Sequence, residues 1–75
     1  MNEWTVAIGV DTHEHFHVAV ALDRLGNQLD LLELEANERG YQELWEWAKR
    51  LGACAFAIGG ASSYGAGLAR FLVAR

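Results

Sequence analysis

The residue of this chain best suited to chemistry is Asp11, which ends an apolar run just after Gly9-Val10. A carboxylate at the open end of a strand can hold a divalent metal that activates a nucleophile and steadies a pentavalent phosphate during in-line displacement. It can equally serve as a turn residue, a common use of Asp. His13, His15 and His17 follow at every second position. On a continuous strand three imidazoles would point one way and imitate a zinc site. A turn within Thr12 to His15 breaks that common face, so the expectation is partly exposed or hydrogen-bonded histidines and no histidine metal centre. The stretch from Gly59 to Gly67 is glycine-rich and runs into a helix start, where anions can bind. It contains neither the Gly-Lys-Ser/Thr of a Walker loop nor GxGxxG spacing, and reads as a tight strand-to-helix turn. Trp45 and Trp47 share the apolar side of a helix and read as core or edge residues rather than a base-stacking platform.

The elements that must position these residues follow from periodicity. Thr5 to Asp11 alternates Val6, Ile8 and Val10 with Thr5, Ala7 and Gly9, and small or apolar residues on both faces suit a central strand. His15 to Leu22 is a second strand, with Phe16, Val18, Val20 and Leu22 on one side; Gly26-Asn27 supplies the positive φ that a hairpin turn requires. Gln28 to Ala36 is a third strand whose alternation slips at Leu31-Leu32, the mark of a bulge. Asn37 caps a helix from Glu38 to Leu51 with Tyr41, Leu44, Trp45, Ala48 and Leu51 as its buried stripe, Trp47 on the flank and a Glu46–Arg50 pair on the wet face. Gly52 ends that helix in the left-handed conformation. Ala53 to Gly59 is apolar throughout, as in a parallel strand covered on both faces. Ser62 or Ser63 caps a last helix from Tyr64 to Arg75, with Tyr64, Leu68, Phe71 and Leu72 buried. The order β-β-β-α-β-α, three meandering strands and a crossover to a parallel fourth, makes an α/β fold that opens as a partial ribonuclease H-like (RuvC-like) domain does.

Composition sets the outer limits. With 75 residues the chain is at most one small domain, of the size that buries only about 60% of its unfolded surface. The single Cys54 closes no intrachain disulfide and reads as a buried core thiol in a reducing, cytoplasmic setting. No apolar run approaches the roughly 18 residues of a membrane span, and the Met1-Asn2-Glu3-Trp4 start lacks the marks of a signal peptide. A formal charge of −4 with scattered basic residues argues against free-standing nucleic-acid binding. The apolar strand 53–58 has no expected neighbour on one side, and an open edge of this kind invites self-association.

Two stretches carry a family resemblance. The segment from Ile8 to Ala19, Ile-Gly-Val-Asp-Thr-His-Glu-His-Phe-His-Val-Ala, resembles the opening of the DEDD transposases of the insertion sequence 110 family, which include the Piv-type recombinases. The segment from Phe56 to Leu72 resembles that family's second signature, with Ser63-Tyr64-Gly65 before Leu68-Ala69-Arg70-Phe71-Leu72 as its more specific part. Gly40-Tyr41 and Leu51-Gly52 also fit, so the resemblance spans essentially the whole chain. It implies a catalytic domain that binds Mg²⁺ through three aspartates and one glutamate, a serine in a separate C-terminal domain, DNA transposition as the activity, DNA and an element-encoded guide RNA as partners, and a bacterial cytoplasm as the setting. Asp11 matches the first aspartate, in the catalytic and metal-binding role. The glutamate's position is Gly59, and the threonine that usually follows is Ala61. The later aspartates and the serine fall beyond Arg75. The expectation is therefore a truncated N-terminal part of the catalytic domain, residues 1–75, with an incomplete acidic site, weak or no metal binding and no activity alone. Two other readings compete with this one. The first is the start of an actin-like or sugar-kinase-type ATPase, in which a glycine-bearing phosphate turn would follow the strand's Asp where this chain has Thr12-His13. The second is a non-catalytic interaction module.

Overall fold

In a computed structural model, residues 5–52, 55–60 and 62–74 are described. Four strands and two helices follow one another as β1 (Val6–Thr12), β2 (Phe16–Asp23), β3 (Gln28–Glu35), α1 (Glu38–Leu51), β4 (Ala55–Gly60) and α2 (Ser62–Val73). They build one mixed sheet in the order β3-β2-β1-β4, antiparallel across β3, β2 and β1 and parallel between β1 and β4. The element order and the α/β class agree with the sequence reading. The assignment of Cys54 to the core and the start of the fourth strand at Ala53 lie outside the described residues.

Both helices contribute to a single core on one face of the sheet. Val6, Ile8 and Val10 of β1, Ala19 and Ala21 of β2 and Leu34 of β3 meet Tyr41, Leu44, Trp47 and Ala48 of α1 and Leu68 and Phe71 of α2. The covered side of β2 is thus the alanine side, together with a fully buried His17. Its larger apolar residues Val18 and Val20 face the other way, and Phe16 is exposed. The small alanines bring the helices close to the sheet, which explains why the more hydrophobic side of the strand is not the one in the core. The fourth strand, expected to be covered on both faces, is covered on one: Phe56 and Ile58 pack against the core, whereas Ala57 and Gly59 are exposed.

Local sequence explains the element ends. Asp23 holds the hairpin turn by accepting from the backbone N–H groups of Leu25 and Asn27 through Oδ1, both at 2.9 Å. Gly26 takes the positive φ there and Asn27 does not. The register shift falls opposite Ala21/Leu22, where Asp30 and Gln28 are the partners and Leu29 is the extra residue. Leu31 and Leu32, where the bulge was expected, simply occupy opposite faces. Asn37 caps α1 through Oδ1 to the N–H of Gly40 at 2.9 Å, and Gly52 closes it with φ 73°. Gly40 is also a packing requirement, because a Cβ there would run into the backbone carbonyl of Glu35.

Three side-chain assignments change. Trp47, placed on the flank of α1 by its spacing, is buried, and Trp45 is the half-buried one, with Lys49 Nζ 5.9 Å from its ring centroid. Glu46 pairs with Lys49 at 3.5 Å, one residue short of the expected Arg50. Tyr64 is exposed rather than buried, and Gly65 takes the buried place behind it. Trp47 goes inward because its indole Nε1–H donates to Asp30 Oδ2 at 3.0 Å, which satisfies its one polar atom and fastens α1 to the edge strand β3.

That bond, followed by the Leu31 N–H on Oδ1, holds the Asp30 carboxyl below its ordinary value. A depressed native pKa stabilises the fold fully above the unfolded-state value, and the stabilisation is lost as pH falls through the native one. Thermal melts over an acid series should therefore show Asp30→Asn losing less stability than the parent below the ordinary carboxylate range. Parallel pH profiles for the two proteins would show that Trp47 gains nothing from the ionised carboxyl.

Candidate functional site

Asp11 occupies the penultimate position of β1, and its side chain points to the uncovered face of the sheet. Two neighbours fix the backbone there: Val18 of β2 is its antiparallel partner and Gly59 of β4 its parallel partner. The two positions singled out in the sequence, 48 residues apart by their numbers (59 − 11), are therefore adjacent in the sheet. The surface around them is an open depression of about 510 Å³ lined by Gly9, Val10, Asp11, Val18, Val20, Ala57 and Gly59. Its floor is wide because Gly9, Ala57 and Gly59 contribute little or no side chain. A Cβ at Gly59 would meet nothing closer than the Val10 carbonyl at 3.9 Å, so a side chain fits there. A second hollow of about 460 Å³, lined by Glu38, Tyr41, Gly67, Arg70, Phe71 and Ala74, is remote from these groups and belongs to the helix layer.

Thr12 is the residue whose role the sequence reading missed. Placed in a turn by its neighbours, it instead continues the strand and is buried on the helix side. Its Oγ1 donates to the carbonyl of Gly59 at 2.6 Å and ties the ends of β1 and β4 together. The signal was present in the alternation Val6, Ile8, Val10, Thr12, which runs one step beyond Asp11. Gly65 at the start of α2 packs on this tie: a Cβ there would lie 3.0 Å from Ile58 Cγ2 and 3.4 Å from Thr12 Cγ2. The glycine-rich turn thus owes at least this glycine to close packing. Ala61 and the side chains of Ser62 and Ser63 lie outside the described residues.

The three histidines go three ways, as a turn after β1 demands. His13 Nε2 lies 3.1 Å from Asp11 Oδ2, and its ring stacks on Phe16 with centroids 4.6 Å apart and planes 11° from parallel. The backbone N–H of His13 donates to the Phe16 carbonyl at 3.0 Å, which closes the turn. His15 sits 3.6 Å from Glu14 and is largely exposed. His17 takes the hydrogen-bonded alternative, as a residue of β2. It is fully buried and stacked parallel to Tyr41 at 6.1 Å, with Nδ1 2.9 Å from the Phe16 carbonyl and Nε2 without a partner among the described residues.

A pair of Mg²⁺ ions does not fit this donor set. Two hard cations at close range need several carboxylates to offset their charge and complete octahedral oxygen shells. Here the described side chains supply one carboxylate, Asp11, and one imidazole, His13, while Gly59 offers no side-chain donor. No group of three or more His, Cys, Asp or Glu gathers among the described residues. Arg39, Lys49, Arg50 and Arg70 are exposed on the helix layer, and the uncovered face carries Asp11, Glu33 and Glu35, so a bare phosphate is not attracted to it. No helix among the described residues is long and apolar enough to cross a membrane.

Residues 8–75 match the family model of the DEDD proteins of insertion sequence 110, which is described as transposase. No curated protein matches the chain.

The clamp between the two strand ends generates a test. Thr12→Val keeps shape and burial but removes the donor to Gly59, and should cost about 1 kcal/mol. Hydrogen exchange should quicken at the end of β4 more than in the β2–β3 hairpin. Uniform or unchanged exchange would show that the hydroxyl does not hold β4 in place.

Proposed function

Since this chain belongs to the insertion sequence 110 family of DEDD transposases, we propose that it forms the strand layer and first two helices of a ribonuclease H-like (RuvC-like) domain that serves DNA transposition. The observation that carries the reading is Asp11 on the open face at the end of the central strand, adjacent in register to position 59 on the parallel strand. A carboxylate on each of these two positions would flank one point in space, as a shared divalent metal requires. In this chain one of the two is glycine, and the chain acts as scaffold and not as nuclease. DNA, and a guide RNA where the element encodes one, meet such a face through a metal, because Asp11, Glu33 and Glu35 repel phosphate when no cation intervenes.

Gly59→Glu tests this reading. The position is open and free of left-handed backbone strain, so the variant should fold. Calorimetric titration should show weak Mn²⁺ or Mg²⁺ binding by the parent and binding tighter by on the order of tenfold in the variant, a gain of about 1.4 kcal/mol. Equal affinities would mean that positions 11 and 59 do not share a site. Cleavage need not return with binding, since one added carboxylate still leaves a sparse site.

A second part of the proposal concerns self-association. In the described sheet β4 pairs with β1 alone, and its other edge presents backbone groups to solvent. Leu29 and Leu31 of β3, at the opposite edge, are each about half exposed. Size-exclusion chromatography with light scattering should find the purified chain larger than one copy. A single monomeric peak with a cooperative melt would overturn this part.

A further inference from the structure

The donor set at the end of β1 suits a different ion from the pair it fails to fit. We propose that Asp11 and His13 together form a two-point site for a single transition-metal ion such as Mn²⁺, Co²⁺ or Zn²⁺, preferred over Mg²⁺ because one of its two ligands is an imidazole. The inference rests on the reading of Asp11 as the metal-side carboxylate and adds His13 to it.

Three observations carry it. The separation of Asp11 Oδ2 and His13 Nε2, 3.1 Å, is close to the bite of two adjacent ligands on one ion. Bonds of about 2.0–2.2 Å place neighbouring ligand atoms roughly 3.0–3.4 Å apart in octahedral or tetrahedral geometry. Both side chains are open to solvent, 69% for Asp11 and 43% for His13, so an ion can enter and keep its remaining waters. The imidazole is also held in place: its ring lies flat on Phe16 and its backbone N–H is fixed by the Phe16 carbonyl. A ligand with its ring plane already set loses less freedom on coordination. Nitrogen donors favour Mn²⁺ through Zn²⁺ over Mg²⁺, which takes oxygen and gives up water reluctantly. His15 is paired with Glu14 away from this point and plays no part.

The experiment compares Co²⁺ and Mg²⁺ titrations of the full chain with those of His13→Ala, His13→Phe, His15→Ala and Asp11→Asn, followed by calorimetry and by paramagnetic broadening of the histidine ring protons. His13→Phe retains a ring to stack on Phe16 but has no ligand atom, and thereby separates packing from coordination. The parent should bind Co²⁺ at least about tenfold more tightly than Mg²⁺, with the His13 ring protons broadened first. Both His13 variants should lose that preference while His15→Ala keeps it, and Asp11→Asn should weaken both ions. A preference that survives His13→Phe, or broadening that begins at His15, overturns the proposal. If the preference survives while Asp11→Asn still weakens both metals, His13 fails and the reading of Asp11 stands. If Asp11→Asn changes neither, both fall together.

Discussion

Strand β1 is hydrogen-bonded along both its edges, and this double pairing is the constraint on which the rest of the molecule depends. The antiparallel neighbour β2 and the parallel neighbour β4 fix every residue from Ala7 to Thr12 from two sides. Alternation then divides the strand's work without further help. Val6, Ile8, Val10 and Thr12 go to the core, while Ala7, Gly9 and Asp11 go to the open face. A shift of one residue in either pairing would send Asp11 into the helix layer and Val10 to solvent. The carboxylate is thus held in place by the burial of its neighbours more than by any bond of its own.

The uneven covering of the sheet follows from where the bulk is placed. Alanines on the inner side of β2, and glycine at positions 40, 65 and 67, let the two helices approach the sheet and each other. Gly67 admits the Tyr41 hydroxyl to 3.0 Å of where a Cβ would stand. The larger residues Phe16, Val18 and Val20 are left outside, beside the groups that could carry chemistry.

Much of this arrangement was legible in the chain itself. The cap at Asn37, the left-handed Gly52, the order of elements and the break among the histidines all follow from short-range chemistry, in which each residue is decided by neighbours three or four positions away. What could not be read depended on partners distant in sequence. Helical spacing favours Trp45 for the buried stripe and leaves Trp47 on the flank, and the Asp30 carboxylate on another element is what draws Trp47 inward. The inner side of β2 was obscured because strand periodicity gives two faces and does not say which one the helices will choose. Asp11 was visible as a strand-end carboxylate. Its contact with His13 was not, because the conformation of the turn decides whether residues two apart converge or diverge.

The tie between Thr12 and Gly59 spans 47 positions, whereas the hairpins and the passage from β3 into α1 join near neighbours. Closing a long loop costs more chain entropy than closing a short one, and contacts of low sequence separation form first. The meander and α1 therefore have an early route to structure, and the parallel pairing of β4 comes afterwards. The two walls of the depression thus differ in kind: Asp11 meets Val18 through a hairpin a few residues long, and meets Gly59 only across a crossover that carries the whole of α1.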